Sequence, residues 1–161
     1  MSKNIVLCGV GGQGTILASK LISAAAMAQG LPVKSAETIG MAQRGGSVFS
    51  HIRIGEDAVC PMIAKGTADI ILGFEPGETV RMLPYLRQGG LVVVSKRAVM
   101  PVTAALAGSN YNGEEMVTYL RSVVERLMVV DTDKACHELG SAKIVNLLLL
   151  GAAAASGELG L

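Results

Sequence analysis

The chain has 161 residues, 50% of them apolar, which is one domain's worth of sequence and too apolar for intrinsic disorder. Its 14 basic and 13 acidic residues leave a net charge of +1, with no basic stripe or aromatic platform for nucleic acid. Only 17% of residues are charged and 3% aromatic, against roughly 25% charged in an ordinary soluble domain, so part of the surface is expected to be covered by a subunit.

Ile5-Val6-Leu7-Cys8 is a short apolar run ending at Gly9, the pattern of a buried parallel strand. After a glycine-rich stretch, Ile16, Leu17, Leu21, Ile22 and Met27 fall at helical spacing over Thr15 to Gln29, and Gly30 is placed to close that helix. Pro32 to Ala36 is a second strand, completing a βαβ unit. Glu37 to Ser47 reads as a loop. Val48 to Ile54 alternates apolar and polar, predicting a strand with one wet face at the sheet edge. After the turn Gly55-Glu56-Asp57, Ala58-Val59-Cys60 is expected to pair back as a short strand.

Ala68 to Phe74 is another buried strand, and Glu75-Pro76 opens a helix through Leu86 whose last turn Pro84 disrupts. Gly89-Gly90 turns the chain into the strand Leu91 to Ser95. Residues 96–112 read as an irregular insertion with a short strand near Val102. Glu114 to Arg126 is an amphipathic helix and Leu127 to Val130 a last strand. Asp131 or Thr132 caps a short helix to Leu139, and Ala142 to Ala155 forms an apolar helix. The pattern is that of a single Rossmann-like α/β domain over residues 1–161, its sheet mostly parallel with helices on both faces.

The longest apolar stretch, Ile144 to Ala155, is interrupted by Asn146 and falls short of the ~20 residues that span a bilayer. No signal segment is apparent at the N-terminus, so no membrane contact and a cytoplasmic location are expected. The three cysteines, Cys8, Cys60 and Cys136, are far apart, with no disulfide framework and no spacing for zinc or an iron–sulfur cluster.

Gly9, Gly11, Gly12, Gln13, Gly14 and Thr15 form a GxGxxG turn after a strand and before a helix. Such glycines bring backbone N–H groups close to a phosphate at the positive helix end; they also serve simply to pack helix on strand. The dinucleotide pattern wants an acid about 20 residues on. Glu37 is the only candidate, and it leads into a loop instead of a second helix. In that loop Gln43, Arg44, Gly45, Gly46 and Ser47 are expected on the same rim as the glycine turn. Arg44 there can offer its guanidinium to an anion or to a partner's carboxylate, or form an ordinary salt bridge. His51 reads as structural, Cys8 as a small buried hydrophobe, and the Asn146 amide as bonded to backbone near a strand end. Cys136 and His137 are adjacent on a helix, so they diverge by ~100° and cannot chelate one metal together.

Four blocks, GVGGQGTILASKLI, SAETIGMAQRGGSVFSHIRIG, ADIILGFEPGETVRMLPYLRQGGLVVV and ELGSAKIVNLLLLGAAAASG, agree in order with one family. The chain resembles the gamma domain of 2-oxoacid:ferredoxin oxidoreductases, the pyruvate/ketoisovalerate oxidoreductase family, from about residue 4 to 157. The QRGGSV.SH.R pattern is most similar to the beta subunit of indolepyruvate ferredoxin oxidoreductase. The resemblance implies a multi-subunit enzyme that decarboxylates a 2-oxoacid oxidatively on thiamine diphosphate. Electrons pass through [4Fe–4S] clusters to ferredoxin, and an acyl-CoA is released.

It implies further that thiamine diphosphate and the clusters sit on a catalytic partner subunit, and that this domain lies beside the active site, near coenzyme A. Residues Gly9 to Thr15 and Gln43 to Ser47 would then face the coenzyme or the active-site entrance. The isolated chain would be inactive, and a final helix of the family domain is expected to be missing. Indolepyruvate or another aryl-pyruvate is the expected substrate, with pyruvate and 2-oxoglutarate left open. Two other readings stand beside this one: a stand-alone nucleotide-binding or redox-sensing module, and a spacer between catalytic subunits. Low charge implies an apolar face around Met41, Met62, Gly45 and Gly46, buried against the thiamine-bearing partner.

Overall fold

A computed structural model describes residues 2–38, 45–100, 105, 106, 108, 110–141 and 144–161. Strand β1 (Lys3–Val10) leads through the glycine turn into helix α1 (Thr15–Ala28), followed by β2 (Val33–Thr38), β3 (Ser47–Ile54) and β4 (Ala68–Gly73). Helix α2 (Pro76–Met82) and a single 3-10 turn (Leu83–Tyr85) precede β5 (Leu86–Ser95). Helix α3 (Gly113–Val123), β6 (Arg126–Val130), α4 (Thr132–Glu138) and α5 (Val145–Ala155) complete the chain.

The six strands form one sheet in the order β2-β3-β1-β4-β5-β6. The β1–β4, β4–β5 and β5–β6 pairs are parallel, and β3 runs antiparallel to both β1 and β2. A mostly parallel sheet is thus present, as the alternation of elements predicts. Side-chain alternation along the buried strands feeds two cores. Ile5, Leu7, Leu72 and Val93 pack with Ala18, Ile22 and Ala26 of α1 and Val145, Leu149 and Ala153 of α5. Val6, Cys8, Ile71, Val92 and Val94 pack with Leu120 and Val124 at α3, with Val80 of α2 alongside.

Several expectations are corrected. β1 and β2 are parallel but not neighbours, because β3 lies between them. β3 is therefore an interior strand: Ile52 and Ile54 enter the α1 core, while the opposite face is covered by the segment before β4. There the Ile63 N–H donates to His51 Nδ1 at 2.9 Å, and Arg53 donates to the Cys60 carbonyl at 3.1 Å. Ala58 to Cys60 is not a strand but belongs to this covering segment, made of turns and bends. Helix α2 ends at Met82, not Leu86, since Pro84 breaks the ladder and the chain tightens into the 3-10 turn.

Gly89-Gly90 lies inside β5, where the register against β4 shifts between Ala68 and Ile70. Gly89 takes φ +68°, a conformation that costs a glycine little. β1 and β2 also run longer than expected, the latter through Glu37 and Thr38. Asp131, not Thr132, caps α4 by accepting from the Lys134 N–H at 3.0 Å. The strand expected near Val102 falls outside the described residues.

Candidate functional site

The carboxyl ends of β1, β4 and β5 meet on one rim of the sheet, and the glycine turn occupies its centre. Gly9 pairs with Val48 near the end of β1. A Cβ there would stand 2.8 Å from that of Phe74, so the glycine permits close approach of β1 to the β4–α2 turn. Gly12 and Gly14 take φ +101° and +86°, leaving Thr15, buried, as the first residue of α1. Gln13 is tied into the turn: its Oε1 accepts from the Val10 N–H at 2.7 Å and its Nε2 donates to the Phe74 carbonyl at 3.0 Å. These bonds brace the loop. Helix α1 has no side-chain cap and no acid in its first turn, so the partial positive charge of its N-terminus is not offset locally.

The second constellation joins the first. The Gly11 N–H donates to the Gly46 carbonyl at 2.9 Å, Gly45 takes φ +77°, and Ser47 opens β3 opposite Val10. The glycine turn and Gly45–Ser47 thus share one rim, as chain order predicts. Gln43 and Arg44, like Met41, lie outside the described residues.

A cleft of about 360 Å³ opens beside the turn, lined by Gly12, Gln13, Gly14, Leu17, Arg97, Val99, Val145 and Asn146. Arg97 follows β5, its side chain 43% exposed and its Nε 3.6 Å from Asp133 Oδ1, a long and loose ion pair. Asn146 is buried at the start of α5. Its Oδ1 accepts from the Leu147 N–H at 2.9 Å, not from a strand end as the sequence reading expects. Its Nδ2 lies 3.3 Å from where a Cβ on Gly14 would sit, a tight contact at a position whose φ of +86° already favours glycine. A larger cavity of about 510 Å³ lies at the other end of the sheet, between the 3-10 turn, Gly89-Gly90 and α3, and shares no residue with this rim.

Beneath the rim lies a cluster that sequence reasoning missed. Glu75, fully buried, caps α2 by accepting from the Glu78 N–H at 2.9 Å, and also accepts from the Val99 N–H at 3.4 Å and from the Tyr111 hydroxyl. The Tyr111 oxygen in turn accepts from the Gly77 N–H at 3.0 Å. Burial pushes the Glu75 carboxyl above its usual range, while its hydrogen bonds from Tyr111, Glu78 and Val99 oppose that rise. Burial and the Glu75 carboxylate also hold the Tyr111 hydroxyl protonated well above its ordinary range.

Glu78 accepts from Ser47 Oγ at 2.5 Å, which ties α2 to the Gly45–Ser47 segment. Cys8 is buried against Thr79 and the Leu72 carbonyl, and burial raises its thiol far above the usual value, so it is no nucleophile. His51 is 1% exposed, and burial lowers its pKa, in keeping with a structural role. Glu75-Pro76-Gly77-Glu78 reads as an acidic cap with proline at the first helical position, which accounts for Glu75 without its bonds to Tyr111 and Val99. Arg97 stands just past a strand's carboxyl end, where open parallel sheets bind ligands.

Among the described residues no three His, Cys, Asp or Glu side chains converge as metal ligands, and no helix is long and apolar enough to cross a membrane. With Cys8 and Cys136 buried and Cys60 exposed, the cysteines do not fit an iron–sulfur cluster. The cleft, with an arginine, an open helix N-terminus and glycine backbone, does fit a phosphate-bearing coenzyme.

The family model for pyruvate ferredoxin/flavodoxin oxidoreductase matches residues 4–161. An indolepyruvate oxidoreductase subunit IorB from Archaeoglobus fulgidus is 40% identical over 94% of this chain and 75% of its own length. A pyruvate/ketoisovalerate oxidoreductase common subunit gamma from Thermococcus litoralis is 26% identical over 91% and 73%. Among solved structures, the pyruvate oxidoreductase subunit PORC from Thermotoga maritima superposes with a TM-score of 0.62 at 25% identity, covering 94% of this chain and 74% of that one. The 2-oxoglutarate:ferredoxin oxidoreductase of Magnetococcus marinus, solved with 2-oxoglutarate, coenzyme A and succinyl-CoA bound, shares the fold with a TM-score of 0.67 at 20% identity, over 94% of this chain and 23% of that one. The chain belongs to the pyruvate ferredoxin/flavodoxin oxidoreductase family, as an IorB-like member.

Proposed function

We propose that the chain is the subunit of an aryl-pyruvate ferredoxin oxidoreductase, with indolepyruvate the favoured substrate, that holds the phosphate end of coenzyme A beside the active site. The carrying observation is the convergence of Gly12, Gly14, Arg97 and Asn146 on one cleft at the carboxyl rim. Its volume of about 360 Å³ lies at the lower end of ligand pockets, ~300–1,000 Å³, and suits a diphosphate or nucleotide portion instead of the whole coenzyme. Glycine backbone and the α1 N-terminus meet the phosphate, and Arg97 supplies the countercharge. Gly45, Gly46 and Ser47 share this rim and are assigned to the active-site entrance. Coenzyme A, when bound, supplies the thiol that takes up the acyl group. Thiamine diphosphate and the [4Fe–4S] clusters are assigned to the partner subunit, which passes electrons to ferredoxin. The relatives named as indolepyruvate oxidoreductase subunits support the substrate.

A stand-alone NAD-type module fits less well. Glu37 sits on β2, and β3 intervenes between β2 and the glycine turn. Two strand spacings, about 10 Å, then separate it from β1, too far for the ribose contact that the dinucleotide pattern requires.

The test is Arg97→Ala and Arg44→Ala in the assembled complex. The coenzyme Michaelis constant is expected to rise about tenfold for Arg97→Ala, the scale of one charge-assisted hydrogen bond. An unchanged coenzyme constant for Arg97→Ala overturns the reading, whatever Arg44→Ala does.

A further inference from the structure

Glu75 is a buried carboxylate engaged with no cation among the described residues. Its hydrogen bonds run instead to the Glu78 N–H of α2, to the Val99 N–H and to the Tyr111 hydroxyl. Burying a charge without a countercharge is costly, and a neutral cap would serve α2 alone just as well. Two of the three bonds reach the segment between β5 and α3, which carries Arg97 and Val99 into the cleft.

That segment is fixed at further points. The Lys96 N–H donates to the Val130 carbonyl at 2.8 Å and the Arg97 N–H to Ser95 Oγ at 3.1 Å. Gly113 lies against Ala98, where an added Cβ would come within 2.2 Å of the alanine methyl. Among the described residues the Arg97 side chain is held by its loose contact with Asp133 at 3.6 Å, so its place depends on the backbone beneath it. Tyr111 closes the arrangement: it donates to Glu75, accepts from the Gly77 N–H at 3.0 Å, and stands one residue before the α3 cap Asn112.

We propose that Glu75 and Tyr111 are positioning residues that pin residues 96–99 against the glycine turn, so that Arg97 stands over the cleft ready for the coenzyme's phosphates. The proposal rests on the coenzyme reading above. Neither residue touches the ligand. They act by fixing the Val99 amide and hence the approach of Arg97, an advance ordering of the kind that strengthens binding without new contacts.

The experiment uses the assembled complex with Tyr111→Phe, Glu75→Gln, Arg97→Ala and the pair Tyr111→Phe/Arg97→Ala. Tyr111→Phe removes one hydroxyl from a half-buried ring and is the variant expected to fold without loss. It should raise the coenzyme Michaelis constant about three- to tenfold, the scale of pairwise coupling, with kcat at saturating coenzyme changed less than twofold and the 2-oxoacid constant unmoved. Glu75→Gln should act in the same direction. In the Arg97→Ala background Tyr111→Phe should add nothing further, and the Val99 amide should exchange hydrogen faster in the single Tyr111→Phe variant.

If the Tyr111→Phe and Arg97→Ala effects simply multiply, or the Val99 amide is unaffected, positioning is overturned while the coenzyme reading stands. If Arg97→Ala leaves the coenzyme constant unchanged, the coenzyme reading falls and takes this proposal with it.

Discussion

The Gly11 N–H donates to the carbonyl of Gly46 across 2.9 Å, so two glycine-rich segments far apart in sequence form one surface. The bond continues the β1–β3 ladder one step past its last pair, Val10 with Ser47. Anything bound at the glycine turn therefore feels the Gly45–Ser47 segment directly. Ser47 in turn reaches Glu78, which links that surface to α2 and to the Glu75 cluster.

Backbone packing at this rim sets clear limits on substitution. A Cβ at Gly73 would come 1.8 Å from Thr79 Oγ1, and that hydroxyl is held by its 2.7 Å bond to the Glu75 carbonyl. Gly73→Ala should destabilise the chain by about 1–3 kcal/mol, the cost of overpacking. Gly151 lies in α5 with nothing within 4 Å of an added Cβ; Gly151→Ala should stabilise by about 0.5–1 kcal/mol. Thermal unfolding of the two variants checks both signs at once.

His51 makes stability fall in acid. Its Nδ1 accepts from Ile63, and its ring stands edge-on to Tyr85 with centroids 5.2 Å apart. Burial lowers its folded pKa below the ordinary 6.5, so below that value the unfolded chain takes up the proton first. The contribution is therefore complete above about pH 6.5 and is lost as pH falls through the lowered folded value. Denaturant unfolding from pH 8 to 5 should show this slope, and His51→Gln should flatten it.

The isolated chain is expected not to turn over a 2-oxoacid with coenzyme A and a viologen dye, because the proposed function assigns thiamine diphosphate and the [4Fe–4S] clusters to a partner subunit. Dye reduction by the purified chain alone, free of other subunits, contradicts this. Titration with NAD(H) and FAD should likewise show no tight binding.

The apolar rim is expected to be covered in the complex. Leu17 of α1 and Leu147 of α5 are 52% and 55% exposed, and Met62, in the segment that covers the other face of β3, is 52% exposed, in a chain of low charge. Replacing Leu17 or Leu147 by Glu should leave the chain folded and weaken its association with the thiamine-bearing subunit, read by co-purification or sedimentation.

Much of this was legible in the sequence because the signals are local. The apolar run at Ile5 to Cys8, the helical spacing after Thr15 and the run Leu91 to Ser95 each place an element by their own pattern. Strand order was not legible: β3 turns back between β1 and β2 through long-range pairing that no local spacing encodes. Nor does alternation reveal a covered face, so the polar residues of β3 suggested a wet edge when His51 and Arg53 were meeting the Ile63 and Cys60 backbone. Glu75 was masked by its other role, since an acid before proline already explains itself as a helix cap. Its bonds to Tyr111 and Val99 depend on where an irregular segment returns to the sheet.

The central claim is that the glycine rim of this chain holds the coenzyme, and amide hydrogen exchange on the assembled complex reads it directly. Adding coenzyme A should slow exchange several-fold in peptides covering Gly11 to Leu17 and Lys96 to Val99, and pantetheine, which lacks the phosphates, should not. Protection confined to the partner subunit, with both segments of this chain unchanged, would contradict the account.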